Sequence, residues 1–401
     1  MWRHLAANAL TFFIVALFLV AGVVTWGVKE WRGPGPHAEA VCVQVESNET
    51  FRDLSDELAA KGAVARPAIL RIGADYAGRA EALKQGSFLL PARASMAEIT
   101  DIVTGTGAST CGTEGVLLVG VARTEAQVRE LDPATAEYVE TAAWDPLSGT
   151  APPPGYEAAV ANADTAWSVR VIEGTTVWQV VQALNAFEVL EGDVAEAPAE
   201  GALAPDTYAV EPGTPVAAVL EQMEAAQARI LAEAWEARAE GLPVATPEEA
   251  LTLASIVEKE TGVPEERPLV AAVFVNRLRE GMRLQTDPAV VYGVTGGQGP
   301  LGRGLRQSEL DAETPSNTYR IDGLPPTPIA LPGRAAIEAA LNPEDSDYLY
   351  FVADGTGGHA FATNLDDHNE NVARWREIEA QQAAEAEAEA AGPGEGPTAT
   401  P

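Results

Sequence analysis

The sequence predicts an α+β chain with one N-terminal transmembrane helix, a small β/α domain, and a larger domain of helices with short antiparallel β-hairpins. Three observations carry this. Leu5 to Val28 is almost wholly apolar and holds no charged residue. Strand-like alternation and helix-like spacing then follow one another twice along the chain. Finally, Tyr348-Leu-Tyr-Phe-Val352 and His359-Ala-Phe-Ala-Thr363 flank Asp354-Gly-Thr-Gly-Gly358, a turn between two short alternating runs. With 401 residues, 46% of them hydrophobic, there is room for two or three separate cores.

A helix over Leu5 to Val28 is about 36 Å long, enough to cross a bilayer. A cleavable signal peptide is the rival reading, since Ala38-Glu39-Ala40 offers a small-x-small site. The apolar run is long for a signal core, and Lys29, Trp31 and Arg32 separate it from that site, which favours an uncleaved anchor. The expected organisation is a cytoplasmic N-terminus at 1–4, the anchor at 5–28 and a linker at 29–40, with the remainder exported. Arg3 agrees with this orientation, whereas Lys29 and Arg32 beyond the span weaken the charge rule. The net charge of −33 lacks any basic stripe and argues against nucleic acid as a partner. Cys42 and Cys111 are the only cysteines; in an exported chain they can pair around one small domain, or remain as buried thiols.

The first domain is expected at 41–111. Val41-Cys-Val-Gln-Val45 alternates as a strand, Thr50 and Asp53 open a helix, and a second helix covers Pro67 to Tyr76. Gly86-Ser-Phe-Leu-Leu-Pro91 returns as a strand, and Ser95-Met-Ala-Glu98 opens a last helix ending near Gly105. Residues 112–167, rich in Ala, Glu and Pro, read as a linker or insertion. The first domain's grammar then recurs as a degenerate repeat. It has a strand at Ser168–Ile172, a helix from Thr175 or Thr176, a strand at Asp206–Val210 and a helix opened by Thr214-Pro215. Met223 to Gly241 reads as a further long surface helix. The larger domain is expected at 168–378, and the Ala/Glu and Gly/Pro run of 379–401 as a disordered acidic tail.

Thr246-Pro-Glu-Glu-Ala-Leu-Thr-Leu-Ala-Ser-Ile-Val-Glu-Lys-Glu-Thr261 carries the strongest chemical signal. Thr246 and Glu249 form a capping box, Pro247 suits the first turn, and Gly262 and Pro264 stop the run. Stepping 100° per residue from Leu253 places Ile256 at about −60°, Val257 at about +40° and Glu260 at about −20°. Glu260 thus falls within the apolar arc, while Glu258, at about +140°, points off it. A carboxyl walled by Leu, Ile and Val is costly to ionise and can hold a proton for general-acid work. The structural alternative is a cap on a neighbouring helix, or a pair with Arg267 or Arg277.

Pro264 to Gly281 forms another helix. The glycine-rich Gly293 to Gly304 lacks the Lys-Ser/Thr and strand-to-helix context of a phosphate cradle, leaving a substrate-covering loop or a plain connector. His359, Asp366, Asp367 and His368 match no tight metal spacing, and no metal or other cofactor is expected.

Together these residues resemble the MltG (YceG-like) endolytic murein transglycosylases. The carrying motifs are Leu253-Ala-Ser-Ile-Val-Glu-Lys-Glu-Thr261, Val275-Asn-Arg-Leu278, Gly281-Met-Arg-Leu-Gln-Thr-Asp-Pro288 with Tyr292, Ser316-Asn-Thr-Tyr319 and Gly323-Leu-Pro-Pro326. Tyr350-Phe-Val-Ala-Asp-Gly355 continues the match through His359, Phe361, Asn364, His368 and Asn369. The resemblance runs from about Val41 to Trp375, more loosely in the first half, which is similar to a LysM-like module. It implies a single-pass enzyme of the bacterial inner membrane, its catalytic domain periplasmic. That enzyme cleaves the MurNAc–GlcNAc bond of nascent peptidoglycan to leave 1,6-anhydro-MurNAc ends and so terminates glycan strands.

The second glutamate of the family's Glu-Lys-Glu maps to Glu260. Gln285, Asp287, Tyr292, Asn317, Tyr319, His359 and Phe361 are the implied substrate-binding residues, and peptidoglycan synthases of the elongation or division machinery are the implied protein partners. Gly201-Ala-Leu-Ala-Pro-Asp-Thr-Tyr208 departs from the family, which carries an aromatic residue before Pro-Asp-Thr-Tyr. Two other functions compete: a muramidase-type hydrolase with Asp287 as second carboxylate, and a non-catalytic glycan-binding scaffold. For the LysM-like module, glycan binding and spacing are both open, with Phe51, Tyr76 and Phe88 its available aromatics.

Overall fold

The computed structural model describes residues 2–46, 48–105, 110–162 and 165–390. Within them the chain is a mixed α+β fold forming two compact units. The first comprises Met1–Gly115, Gln127–Trp144 and Pro152–Trp167, the second Val116–Ala126, Asp145–Ala151 and Ser168–Pro401.

Helix α1 (Trp2–Arg32) contains Leu10–Arg32, the one stretch among the described residues long and apolar enough to cross a membrane. Leu10, Phe12, Phe13 and Phe18 on it are exposed, so no protein core accounts for their character. After it come β1 (Val41–Val45), α2 (Phe51–Ala60), α3 (Pro67–Tyr76), β2 (Gly86–Leu90) and α4 (Met96–Val103). Full capping boxes at Thr50/Asp53 and Ser95/Glu98 start α2 and α4, each worth about 1 kcal/mol. β1 and β2 pair antiparallel from Val41 opposite Leu90 to Val45 opposite Gly86. Val43, Leu54, Leu58, Leu70, Phe88, Leu90 and Ile99 form the core beneath them, and each such buried side chain contributes roughly 1.5–3 kcal/mol. Cys42 and Cys111 are joined in a disulfide. Thr110 and Cys111 lie along β2, where both backbone N–H groups donate to Ser87 O, at 2.8 and 3.1 Å.

Residues 112–167 are no linker. They form β3 (Thr113–Val119), β4 (Thr124–Asp132), β5 (Glu137–Trp144) and α5 (Pro154–Ala161); positions 163–164 lie outside the described residues. β4 alternates buried and half-buried positions along Thr124-Glu-Ala-Gln-Val-Arg, the period-two signature of a strand. Its small and charged residues hide that period from a reading based on composition.

The chain continues through β6 (Ala166–Val171), α6 (Val177–Asn185), β7 (Thr207–Val210) and α7 (Val216–Glu236). The five strands β3 to β7 make one sheet in the order β5-β4-β3-β6-β7. The second round of strand and helix therefore has one helix between its strands where the first has two. α7 is continuous, merging the helix opened at Thr214-Pro215 with the one expected from Met223. No glycine, and no proline after its N-cap Pro215, interrupts it.

Next come α8 (Pro247–Glu260), a 3₁₀ turn at Pro264–Glu266, α9 (Arg267–Arg279), α10 (Asp287–Thr295), α11 (Gln307–Leu310) and α12 (Arg334–Leu341). α8 is the hub of the second unit, packed by α7, α9, α10 and α12. Every residue from Ala250 to Val257 is buried, because helices cover it on several sides. Its start is half the expected capping box: Thr246 Oγ1 accepts from Glu249 N at 3.2 Å, but Glu249 Oε2 accepts from Ala245 N, not from Thr246. β8 (Tyr350–Ala353) and β9 (His359–Ala362) pair antiparallel, with Phe351 opposite Phe361. α13 runs Leu365–Ala390, so helix replaces the disorder expected over 379–390. Alanine and glutamate are strong helix formers. The remainder of that expected tail, 391–401, lies outside the described residues.

Candidate active site

The last turn of α8 sends three consecutive side chains to three different partners. Glu258 Oε2 accepts from Gly333 N at 3.0 Å, and its other oxygen lies 3.7 Å from Arg267. Lys259 Nζ donates to Gly174 O at 3.0 Å. Glu260 Oε1 accepts a short hydrogen bond from the Thr286 hydroxyl. Arg267 is thus occupied by Glu258 and Glu173 and does not pair with Glu260.

Thr286 is placed by a reciprocal lock. Its N–H donates to Thr318 Oγ1 at 2.9 Å, and that hydroxyl donates back to Thr286 O at 3.1 Å. Next to it, Gln285 N donates to Thr318 O at 3.2 Å, with Gln285 at φ +51°. A non-glycine residue in the left-handed region costs roughly 1–3 kcal/mol, held here by the bonds on either side.

Glu260 is half-buried as a residue, but its carboxyl is enclosed, and this burial pushes its pKa above the ordinary carboxylate range. The Thr286 hydrogen bond opposes that rise, Asp287 adds to it, and His359 and Arg277 oppose it. Among the described residues no cation lies within ion-pair distance of Glu260. Arg277 is spent on backbone: Nε donates to Leu349 O at 2.7 Å and Nη1 to Leu284 O at 2.6 Å, with its guanidinium 5.3 Å from the centre of the Tyr350 ring. Neither a helix cap nor an ion pair accounts for Glu260. A carboxyl whose pKa burial raises is suited to donate a proton to a bound oxygen.

Other sequence-predicted residues divide between this centre and the scaffold. Asp287, the first residue of α10, accepts from the Tyr319 hydroxyl at 2.7 Å. Gln285 is exposed, its side chain turned to solvent beside Thr286. His359 N donates to Glu266 Oε1 at 2.9 Å, and its Nδ1 lies 2.7 Å from Glu266 Oε2. Phe361 packs with Tyr348 and Phe351, ring centres 5.4 and 6.1 Å apart. Tyr292 donates to Glu200 Oε2 at 3.3 Å, and burial pushes its hydroxyl up to about 12. Asn317 is fully buried, and its amide donates to Glu309 O, Leu310 O and Ala312 O at 3.2, 3.0 and 2.6 Å. That amide holds the chain's own loop, leaving it no donor for a sugar.

A cleft of about 340 Å³ is lined by Lys259, Asp287, Tyr292, Thr176, Gln179, Gly297 and the run Gly299 to Arg303. Part of the expected glycine-rich loop is accordingly the last turn of α10, and part is the wall of this cleft. Sequence reasoning quoted Thr286 within a motif but gave it no role; its neighbours Gln285 and Asp287 drew the attention because they are the more polar. Glu266 and Glu200 were missed as well, since partners 93 and 92 residues away leave no local pattern.

Such a centre, an enclosed carboxyl of raised pKa held by a hydroxyl at the end of a buried helix, defines a candidate acid–base enzyme. The chain belongs to the YceG-like family, whose model matches residues 43–374. The endolytic murein transglycosylase of Streptococcus pneumoniae serotype 2 strain D39 is 39% identical over 181 residues, 43% of this chain and 32% of that protein. That of Bacillus subtilis strain 168 is 36% identical over 174 residues, 43% of this chain and 47% of that protein. The matched region thus spans less than half the length of either relative. A crystal structure of a YceG-like protein from Listeria monocytogenes aligns over 83% of this chain and 99% of its own, at 24% identity and a TM-score of 0.44.

Proposed function

We propose that this protein is a membrane-anchored endolytic lytic transglycosylase that cuts the MurNAc–GlcNAc bond of nascent peptidoglycan. Glu260 carries the reading: an enclosed carboxyl, raised in pKa by burial and oriented by Thr286, and, unlike its likewise buried neighbour Glu258, not ion-paired with an arginine. Relatives named endolytic murein transglycosylase support the reaction class.

Protonated Glu260 donates to the glycosidic oxygen as the bond to the anomeric carbon breaks. The muramyl 6-hydroxyl then attacks that carbon and returns its proton to the carboxylate, regenerating the acid and leaving a 1,6-anhydro ring. Because the nucleophile belongs to the substrate, no water has to be positioned, and intramolecularity supplies a high effective concentration. Gln285, Asp287, Tyr292, Tyr319, His359 and Phe361 are the residues of this reading that border the glycan. Helix α1 anchors the chain in the bacterial inner membrane with the N-terminus cytoplasmic and the remainder periplasmic. The unit built on β1, α2, α3, β2 and α4 serves as a LysM-like module, and peptidoglycan synthases are the partners whose strands are terminated.

Asp287 favours a second reading, hydrolysis, because it is a carboxylate close enough to influence Glu260 and classical glycosidases use two. The test is to incubate the full chain in detergent, and Glu260→Gln alongside, with uncrosslinked glycan strands and to identify the new ends by mass spectrometry. Anhydro-muramyl ends lost in the variant support the transglycosylase. Reducing ends would transfer the assignment to the hydrolase, and binding without cleavage would leave a scaffold.

A further inference from the structure

Lys259 lies between the two glutamates of α8's last turn, yet its ammonium serves neither. Among the described residues, no carboxylate lies within 4.0 Å of Nζ, and its one hydrogen bond goes to a neutral carbonyl, Gly174 O at 3.0 Å. An ammonium has three donors, so two remain for something else. Lys259 is half-buried and forms part of the wall of the 340 Å³ cleft. The other cation on that wall, Arg303, is already held by both oxygens of Glu309, at 2.9 and 2.6 Å. In a chain with 59 acidic residues against 26 basic ones, a half-buried lysine with no carboxylate in ion-pair reach is an incomplete charge pair, and desolvating one is costly unless something completes it. Burial accordingly lowers its pKa, with Glu258 the only charge that opposes the shift.

We propose that Lys259 is a specificity-determining residue that binds a carboxylate carried by the glycan in the cleft it lines together with Asp287, the carboxylate neighbour of Glu260. Gly174, Thr176 and Gln179 share its wall. Two of the three are already engaged: Gln179 Nε2 donates to Val121 O at 2.9 Å and Thr176 Oγ1 donates to Gly297 O at 2.5 Å. The Gln179 amide keeps one further N–H, and the only charged donors left there are the two of the ammonium. Asp287 on the same lining repels a second negative group, which confines the carboxylate to the Lys259 side. Two sources on a muramyl glycan offer this chemistry: the lactyl carboxylate of a peptide-free MurNAc, and the carboxylates of an attached stem peptide. This inference rests on the glycan-cleaving reading above.

The test compares three substrates cleaved by the full chain in detergent: peptide-free glycan, the same glycan with its lactyl carboxylates converted to amides, and glycan bearing stem peptides. The quantity read is the ratio of kcat/KM on each charged glycan to that on the amidated one. The wild type should prefer at least one charged glycan by about tenfold or more, the scale of a hydrogen bond to a charged group. Lys259→Met should bring that ratio to about one, and Lys259→Arg should restore most of it. Preference for the peptide-free glycan assigns the lactyl group, and preference for the peptide-bearing one assigns the stem. A wild-type ratio near one, or a ratio unchanged in Lys259→Met, overturns the proposal and leaves Lys259 a prop for Gly174. Absence of new ends from any glycan with the wild type would overturn the cleavage reading itself, a separate outcome.

Discussion

The hydroxyl of Thr286 donates to Oε1 of Glu260, joining the residue just before α10 to the last residue of α8. This bond lowers the pKa of a carboxyl that burial raises, so the two effects set the proton's hold between them. Thr286→Val removes the donor and keeps the shape. The basic limb of the pH–rate profile for end formation should move to higher pH, because the acid form persists further. A hydrogen bond to a charged group is worth about 1.5–3 kcal/mol. A basic limb that stays in place would show that the hydroxyl does not govern this proton.

Glu260 also links stability to pH. Its pKa is raised in the folded chain, so the folded state binds the proton more tightly than the unfolded state does. The carboxyl is harmless to stability below the ordinary carboxylate range and becomes a cost as pH rises through the folded pKa. Glu260→Gln should therefore melt close to the wild type in acid and above it in mild alkali. Each ~1 kcal/mol gives about 2–4 °C in a unit of this size. Thermal melts across pH check the divergence, and parallel curves would refute it.

Asn317 should behave as scaffold. Replacing it with Ala strands Glu309 O, Leu310 O and Ala312 O at a fully buried position, at a cost of about 2–3 kcal/mol. Denaturant unfolding measures this, and a loss below ~0.5 kcal/mol would contradict the assignment.

The disulfide makes a comparable claim for the first unit. Cys42 and Cys111 are 69 residues apart, and closing a loop of that length contributes about 4 kcal/mol in the chain-entropy picture. Reduction, or Cys42→Ser with Cys111→Ser, should lower the unfolding midpoint of that unit. Tryptic cleavage around α2 and α3 under reducing conditions reports it.

Much of this architecture is legible from sequence where a local rule acts alone. Thr50/Asp53 and Ser95/Glu98 fix two helix starts, and helical spacing turns Glu258 and Glu260 of α8 toward different partners, although burial does not separate them. Legibility ends where distant segments decide. β4 was obscured because its inward positions are Thr124, Ala126 and Val128, small residues whose burial only the neighbouring strands reveal. Asn317 and Gln285 look alike as polar motif residues, but one is buried by loop 309–312 and the other faces water. No periodicity distinguishes them. Thr286 could have been found by asking which hydroxyl in Gln285-Thr286-Asp287 has a partner to satisfy.

The direction in which α8 runs has its own effect on Glu260. Peptide dipoles along the helix sum to a partial negative charge at its C-terminal end, and that is where Glu260 stands, with Thr261 already extended. An ionised carboxyl there opposes the aligned backbone as well as its own desolvation, so the helix biases Glu260 toward its neutral form before any neighbouring side chain is counted. The same carboxyl at the start of the helix, where Thr246 stands, would meet donating N–H groups and release its proton readily. The polarity of the main chain is therefore itself a determinant of acidity at this position.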